Sequence, residues 1–286
     1  MAAVSIAGGT GLTGIFGDPV AHSASPAMHN AAYAALGMDR VYVPFHVLPA
    51  QLPAALRAIV ALELFGVNVT VPHKERVARL LRHQSAEARL LGAINCVVPR
   101  RGELYGDNTD ARGLAADLAA LDAPVKGQTV IVIGAGGGAA AALLALRRLG
   151  VRRVVIANRT RKRALRLAAR FKTLRIEARD LCDLNDPGLI GEAAAVINAT
   201  SVGLKSGPFL PLAYDAARPG CFFYDLIYSA APTSFLAPAI ERGLPVADGA
   251  GMLLHQGALA FELFNGVRPP LHAMRDALYA RLGRGT

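Results

Sequence analysis

The 286-residue sequence contains no tryptophan, and its aromatic content is only 6%. Proteins that bind single-stranded nucleic acid stack bases on exposed aromatic rings. The sequence therefore offers few side chains for a base-stacking surface. Hydrophobic residues at 53% and charged residues at 18% are typical of a globular protein with a large buried core.

Cysteine is also scarce, and Cys96, Cys182 and Cys221 lie far apart without a C-x-x-C pair. This spacing favours neither a disulfide framework nor a zinc site. No cluster of histidine and acidic residues has the spacing of metal ligands either, so we expect no metal. All three cysteines are expected to be core thiols in a reducing compartment.

The N-terminus lacks a basic segment followed by an apolar one, so we expect no signal peptide and a cytoplasmic protein without a membrane partner. An uncharged run of membrane-spanning length covers residues 129–146. Its centre is Gly134-Ala-Gly-Gly-Gly138, and glycine is a poor residue for a helix interior. A strand, a glycine turn and an alanine-rich helix explain this run better than a transmembrane helix.

Acidic residues are too few to balance the basic ones, and the formal charge is +10. The excess is local. Residues 147–179 hold 13 basic residues and one acid, Glu177, while the rest of the chain carries 18 basic and 20 acidic residues. One basic region is enough to bind a phosphate group. We therefore predict no nucleic-acid partner and place most of these basic side chains on a solvated helix face.

The segment Asn68-Val-Thr-Val-Pro-His-Lys74 places a lysine just after a β-branched run that ends in proline. Residues 67–71 are predicted to form a buried strand, because valine and threonine suit a pleated surface and proline ends it. Asn68 and Thr70 should share one face of that strand. Lys74 is then expected at the strand exit, where loops present reactive groups. An ordinary strand that ends in a solvated lysine is the alternative.

The hexapeptide Gly134-Ala135-Gly136-Gly137-Gly138-Ala139 fits G-x-G-x-x-A between an apolar strand at 129–133 and a predicted helix at 138–149. The glycines let the backbone approach a pyrophosphate, and the helix N-terminus offers N–H groups to the anion. A glycine-rich turn without a ligand is the alternative.

The strand predicted at 153–157 ends at Asn158-Arg159-Thr160-Arg161-Lys162-Arg163, without the carboxylate that binds the ribose of NAD. Arginine makes charge-assisted bonds to a 2′-phosphate. We therefore predict NADP as the cofactor, with Arg159 and Arg163 on the 2′-phosphate and Asn158 and Thr160 in support.

The alternation of strands and helices predicts an α/β protein of two domains. An α/β substrate domain is expected from residues 1–109 and 250–286, and a Rossmann-like, doubly wound NADP domain from residues 110–249. The active site is expected in the cleft between them.

These motifs, in this order, resemble those of the shikimate dehydrogenase family over nearly the whole chain. The matching segments are His22-Ser-Ala-Ser-Pro26, Asn68 to Lys74, Gly92-Ala-Ile-Asn95, Gly106-Asp-Asn-Thr-Asp110, Asn158-Arg-Thr160, Asn198-Ala-Thr-Ser-Val-Gly203, Tyr224-Asp-Leu-Ile-Tyr228 and Gly249-Ala-Gly-Met-Leu-Leu-His-Gln256. The resemblance implies NADP-dependent, reversible reduction of 3-dehydroshikimate to shikimate, a step of aromatic amino acid biosynthesis.

The resemblance also implies residue roles. Lys74 and Asp110 are the catalytic pair, and Ser23 and Ser25 bind the substrate carboxylate, although Ser25 also suits a helix cap. The other implied substrate contacts are Asn68, Thr70, Asn95, Tyr228 and Gln256. The implied cofactor contacts are Gly134, Ala135, Gly136, Gly137, Gly138, Asn158, Arg159, Thr160, Arg163, Thr200, Gly249 and Met252.

The chain departs from the family pattern in three places: Ala139-Ala140-Ala141 where a basic residue is frequent, Ala111 where glycine is common, and His255 where a small residue is frequent. A quinate/shikimate dehydrogenase, or a paralogue that uses NAD or another ring hydroxy acid, is the nearest alternative. A basic nucleic-acid-binding protein and a non-catalytic nucleotide sensor are the alternatives from other classes. The sequence leaves open whether Lys74 is a general acid/base or an electrostatic clamp, and whether the protein is a monomer or a homodimer.

Overall fold

A computed structural model of the protein describes residues 6–203 and 207–284. The chain divides into two compact units. Unit 1 is Met1–Thr109 with Leu254–Thr286, and unit 2 is Asp110–Leu253. Among the described residues, no helix combines the length and apolar character needed to cross a bilayer.

Unit 1 is built on a six-stranded mixed sheet. Its strands are β1 (Gly11–Gly17), β2 (Arg40–His46), β3 (Gly66–Val69), β4 (His83–Gln84), β5 (Cys96–Arg100) and β6 (Glu103–Asp107). They are arranged β2-β1-β3-β5-β6-β4, with β1 parallel to β2 and β3, and β5 antiparallel to β3 and β6. The helices of this part are α1 (Ser25–Ala35), α2 (Leu52–Ala61), α3 (Lys74–Leu80) and α4 (Ala86–Leu91).

A hydrophobic core between α2 and the sheet holds unit 1 together. Leu52 and Ile59 on α2 pack with Val67 on β3 and Val97 on β5, and all four side chains are fully buried. Each such side chain contributes roughly 1.5–3 kcal/mol of hydrophobic stabilisation. This core fixes β3 and β5, the two strands that frame the polar groups described below.

Unit 2 is built on a six-stranded parallel sheet. Its strands are β7 (Thr129–Ile133), β8 (Arg153–Ala157), β9 (Ile176–Arg179), β10 (Ala195–Asn198), β11 (Phe222–Asp225) and β12 (Val246–Ala247), arranged β12-β11-β10-β7-β8-β9. Its helices are α5 (Asp110–Ala120), α6 (Gly137–Arg148), α7 (Arg161–Ala168), α8 (Pro187–Glu192) and α9 (Ala237–Glu241). Helix α10 (Ala250–Asn265) contains the division between the units, and α11 (Leu271–Arg281) packs on α1 in unit 1.

The α/β class predicted from the sequence is confirmed by these two sheets. The prediction for residues 67–71 is wrong at its end, because β3 stops at Val69. The Thr70 carbonyl accepts a hydrogen bond from the His73 N–H at 2.9 Å, so the chain turns there and α3 begins at Lys74. Lys74 is therefore the first residue of a helix and does not lie at a strand exit.

Two smaller predictions also need correction. Ser25 is not the N-cap of α1: it is the first helical residue, and Ala24 stands at the cap position. Cys96 and Cys221 are buried, but Cys182 is exposed because it lies in a surface 3₁₀ turn, Leu181–Asn185.

Candidate active site

Buried amide and hydroxyl groups connect β2, β3 and β5 in unit 1. Tyr42 Oη donates a hydrogen bond to Asn68 Oδ1 at 2.9 Å, and Asn68 Nδ2 donates one to the Asn95 carbonyl at 3.1 Å. All three residues are buried. Burial raises the pKa of Tyr42 well above its usual value, so its hydroxyl keeps the proton that it donates.

Asn95 extends the same network to Thr109 and Gln256. Asn95 Oδ1 accepts the Thr109 backbone N–H at 2.8 Å, and its Nδ2 donates to Thr109 Oγ1 at 3.0 Å and to Gln256 Oε1 at 3.4 Å. Thr109 Oγ1 also lies 3.4 Å from Gln256 Oε1. The amide that precedes β5 is therefore tied to the last residue of unit 1's first segment and to α10.

The two predicted carboxylate-binding serines lie at the other end of this network. The Ser25 N–H donates to Ser23 Oγ at 3.2 Å, and the Ser25 hydroxyl hydrogen-bonds Tyr42. Ser25 is buried and Ser23 is half-buried. The network thus runs Ser23–Ser25–Tyr42–Asn68–Asn95–Thr109–Gln256, and we call it the hydroxyl–amide network.

His29, one turn after Ser25 on α1, packs against the Tyr42 member of the network. Its ring stacks on Tyr42 with centroids 4.1 Å apart and planes 19° apart. Burial lowers the pKa of His29 to about 3, so the ring is neutral at ordinary pH. His29 therefore acts as a flat packing surface that fixes the orientation of the Tyr42 ring.

The predicted catalytic lysine is anchored close to Asn95. The Lys74 carbonyl accepts the Ile94 N–H at 3.0 Å, and Ile94 directly precedes Asn95. Lys74 itself is half-buried at the start of α3. Thr70, four residues earlier, is held to β1 by its N–H bond to the Phe16 carbonyl at 2.9 Å.

The two histidines next to the predicted site residues lie outside the hydroxyl–amide network. His73 is buried, and its Nε2 lies 2.7 Å from the Val47 carbonyl, which ties the start of α3 to the chain after β2. His22 is exposed at the surface. Both residues are therefore neighbours of predicted site residues.

In unit 2, the predicted glycine turn connects β7 to α6. Gly134 has a φ of +111°, and a β-carbon on it would lie 3.0 Å from the Ala199 carbonyl oxygen. Gly136 is the N-cap of α6 and provides no side-chain cap, and β-carbons on Gly136 or Gly137 would meet no atom within 4 Å. Uncapped N–H groups that face open space at a helix N-terminus suit a pyrophosphate.

The basic segment after β8 is available to a second phosphate. Glu177 is engaged by Arg153 and Arg179, each with a nitrogen–oxygen distance of 2.5 Å. Arg159 and Arg163 are exposed, and neither forms an ion pair within the described part of the chain. Their charges are therefore not neutralised by the one acid of this region.

The other predicted cofactor residues lie in segments that adjoin these strands. Asn158 Nδ2 donates to the Thr160 carbonyl at 2.9 Å, which shapes the start of α7. Thr200 follows β10 and is half-buried. The Gly249 N–H donates to the Ile227 carbonyl at 3.1 Å, and the Met252 N–H donates to Tyr224 Oη.

Tyr228 is half-buried in the segment after β11, and Asp110 is the half-buried first residue of α5. Three residues were not predicted as site residues from the sequence: Tyr42 and Thr109, which contact predicted site residues, and His29, which stacks on Tyr42. Thr109 lies inside a motif that the sequence does reveal, but Tyr42 and His29 carry no local signal, because their partners are distant in the chain.

Comparison with known proteins identifies the family. The family model of the shikimate dehydrogenase substrate binding domain matches residues 15–97, that of shikimate / quinate 5-dehydrogenase matches residues 117–204, and that of the shikimate 5′-dehydrogenase C-terminal domain matches residues 249–279. The NADP(+) shikimate dehydrogenase of Citrifermentans bemidjiense is 41% identical, and the match covers 98% of each chain.

Solved structures agree. The shikimate 5-dehydrogenase of Thermus thermophilus, in complex with NADP(H) and shikimate, has a TM-score of 0.85 and 39% identity over 95% of this chain and 100% of that one. The quinate dehydrogenase of Corynebacterium glutamicum, in complex with NAD, has a TM-score of 0.87 and 30% identity over 95% and 99%. The resemblance seen in the motifs is confirmed, and this chain belongs to the shikimate dehydrogenase family.

Proposed function

We propose that this protein catalyses the NADP-dependent, reversible reduction of 3-dehydroshikimate to shikimate in the cytoplasm, as a step of aromatic amino acid biosynthesis. One feature of unit 1 carries the proposal. The hydroxyl–amide network groups uncharged donors and acceptors, which suit a small ring with several hydroxyls, and ends in two serines, which suit its carboxylate.

Residues 1–109 and 250–286, which include the whole of unit 1, are proposed as the substrate domain. Ser23 and Ser25 donate hydroxyl hydrogen bonds to the carboxylate. The ring hydroxyls and the carbonyl are held by Asn68, Thr70, Asn95, Tyr228 and Gln256. A site built to hydrogen-bond several hydroxyls rejects analogues that lack them, because its own buried groups would be left unpaired.

Residues 110–249 are proposed as the NADP domain. The backbone of Gly134, Ala135, Gly136, Gly137 and Gly138 holds the pyrophosphate. The 2′-phosphate and its ribose are bound by Asn158, Arg159, Thr160 and Arg163, and the rest of the dinucleotide by Thr200, Gly249 and Met252. The exposed guanidinium groups of Arg159 and Arg163 favour NADP over NAD, because they gain charge-assisted bonds only with the 2′-phosphate.

Lys74 and Asp110 are proposed as the catalytic pair. When bound, NADPH supplies the hydride that reduces the substrate ketone. Negative charge then develops on the ketone oxygen, and the Lys74 ammonium stabilises it and delivers a proton to it. Asp110 follows Thr109 in the chain, and the Thr109 N–H donates a hydrogen bond to Asn95. The Lys74 carbonyl accepts a hydrogen bond from Ile94, the residue before Asn95. The Asp110 carboxylate is proposed to hold the Lys74 ammonium in place.

Initial rates with shikimate and with quinate, each with NADP and with NAD, test the proposed function. The expected result is highest kcat/KM for shikimate with NADP. Equal or better turnover of quinate with NAD would instead assign the protein to the quinate branch of the family. The Lys74→Ala protein, purified in the same way, is the control for contaminating host dehydrogenases. Sedimentation of the same samples distinguishes the proposed monomer or homodimer.

A further inference from the structure

A buried carboxylate joins two loops of unit 2. Asp225 is the last residue of β11 and is 0% exposed. Its Oδ1 accepts hydrogen bonds from Asn198 Nδ2 at 2.9 Å and from the Ile227 N–H at 3.0 Å, and its Oδ2 accepts one from Thr233 Oγ1 at 2.6 Å. Burial of a carboxylate is costly unless donors compensate it. Here the three donors come from the end of β10 and from the loop after β11.

Asn198 links Asp225 to the loop after β10. Asn198 and Asp225 are register partners in the parallel β10–β11 pair. Asn198 Nδ2 also donates to the Val202 carbonyl at 3.3 Å, and its Oδ1 accepts the Thr200 N–H at 3.0 Å and the Thr200 hydroxyl at 2.7 Å. One amide side chain therefore both shapes the loop after β10 and ties it to Asp225.

The loops after β10 and β11 lie close to the glycine turn and the start of α6. A β-carbon on Gly134 would lie 3.0 Å from Thr200 Cγ2, and one on Gly138 would lie 3.0 Å from Leu226 Cδ1. The Leu226 N–H in turn donates to the Asn198 carbonyl at 2.9 Å. A shift of either loop would therefore change the space next to the turn that is proposed to hold the pyrophosphate.

The strand order assigns these loops to one half of the dinucleotide. In a doubly wound sheet the dinucleotide lies across the point where the strand order reverses, which here lies between β7 and β10. Arg159 and Arg163 follow β8, so the adenosine half with its 2′-phosphate belongs on the β8 side. The nicotinamide half then belongs on the side of β10 and β11, above the loops that Asp225 joins.

We infer that Asp225 is a positioning residue: its buried carboxylate holds the loops after β10 and β11 in the shape that receives the nicotinamide half of NADP. The inference rests on the proposed function and deepens it, because Asp225 itself is assigned no contact with cofactor or substrate. Asp225 acts through Thr200 on one loop and through the segment that leads to Tyr228 on the other.

Three variants distinguish the effect of the hydrogen bonds of Asp225 from the effect of its negative charge. Thr233→Val removes one donor and keeps the shape of the side chain. Asp225→Ala removes all three hydrogen bonds. Asp225→Asn keeps them, because its Oδ1 still accepts from Asn198 and Ile227 while its amide donates to the Thr233 oxygen, which can accept.

Binding is measured with two probes, NADPH and adenosine 2′,5′-bisphosphate, which carries the 2′-phosphate but no nicotinamide. We expect Thr233→Val to raise the Kd for NADPH about five- to tenfold, the effect of losing one typical intramolecular hydrogen bond. Asp225→Ala should raise it more than about tenfold, and Asp225→Asn should stay within about twofold of the wild type. The bisphosphate should bind all three variants like the wild type.

Thr129→Val is the matched control, since Thr129 is a buried threonine at the start of β7, the opposite end of the sheet from these loops. It should leave the Kd of both probes unchanged. The inference is overturned by wild-type NADPH affinity in Thr233→Val and Asp225→Ala, by equal loss of both probes, or by an Asp225→Asn protein as weak as Asp225→Ala. Absence of shikimate turnover in the wild type would refute the proposed function alone, because these binding measurements need no turnover.

Discussion

Replacing Asp225 with asparagine should stabilise the protein more at neutral pH than in mild acid. Burial raises the pKa of Asp225 from 3.8 to about 6, against the opposing effect of its bonds from Thr233, Ile227 and Asn198. The negative charge of Asp248 raises it further. Because the folded pKa lies above the unfolded one, the folded protein holds this proton more tightly, and ionisation destabilises the fold.

The linkage between proton binding and folding gives the sign and size of this stability change. At a pH below the unfolded pKa, Asp225 is protonated in both the folded and the unfolded protein, so no stability is lost. As the pH rises from about 4 to about 6, the wild type loses stability, and above this window the loss is constant at about 3 kcal/mol. At pH 5 roughly half of this loss is present, so the other half, on the order of 1 kcal/mol, develops between pH 5 and pH 7.5. Asparagine does not titrate and keeps the three hydrogen bonds.

The assay is the free energy of unfolding in urea at pH 5, 6 and 7.5 for both proteins. The stability difference in favour of Asp225→Asn should widen with pH by roughly the amount that linkage gives. Asp215→Asn is a control of opposite sign, because the Arg242 guanidinium lowers the pKa of the exposed Asp215. A gap between wild type and Asp225→Asn that is constant or shrinks as the pH rises would refute the reasoning.

Four further variants test the proposed site. Arg159→Ala should weaken NADP binding by about 1–3 kcal/mol and leave NAD binding nearly unchanged, and equal weakening of both would mean that Arg159 acts on the pyrophosphate or on folding. Lys74→Ala should lower kcat by about 10²–10⁴ with NADP affinity kept, and near-normal turnover would contradict the mechanism. The double variant Lys74→Ala with Asp110→Asn should have a kcat little below that of the poorer single variant if the two residues act as a unit. Additive losses of kcat would mean separate roles. Tyr42→Phe leaves Asn68 Oδ1 buried without its donor, so it should raise the KM for shikimate and lower stability by about 1–3 kcal/mol, and an unchanged KM would exclude Tyr42 from substrate positioning.

The sequence predicts the elements with strong local patterns. The bounds predicted for β7 and β8 agree with the structure, because each is an apolar run next to a glycine or polar turn. The short elements β4 and β12 have two residues each and carry no periodic pattern, so their neighbours in the sheet define them.

The site residues also fall into two groups, those that local motifs predict and those that depend on distant parts of the chain. The family motifs reveal groups such as Asn68 and Asn95, but not the partner that orients each group. Tyr42 reaches Asn68 across 26 residues, and Gln256 reaches Asn95 across 161. Such partners depend on strand order and register, which one sequence does not specify.

A polar residue near the carboxyl end of an apolar strand is nevertheless a usable signal. Asn198 and Asp225 end β10 and β11, and Asn68 is the next-to-last residue of β3. At this position a side chain is buried by the sheet, yet it lies next to the loops that carry function in parallel α/β folds. A buried amide or carboxylate must find partners, and the nearest unpaired donors are those of the loops. A strand that ends in such a residue therefore shapes its own functional loop, which is the role inferred here for Asp225.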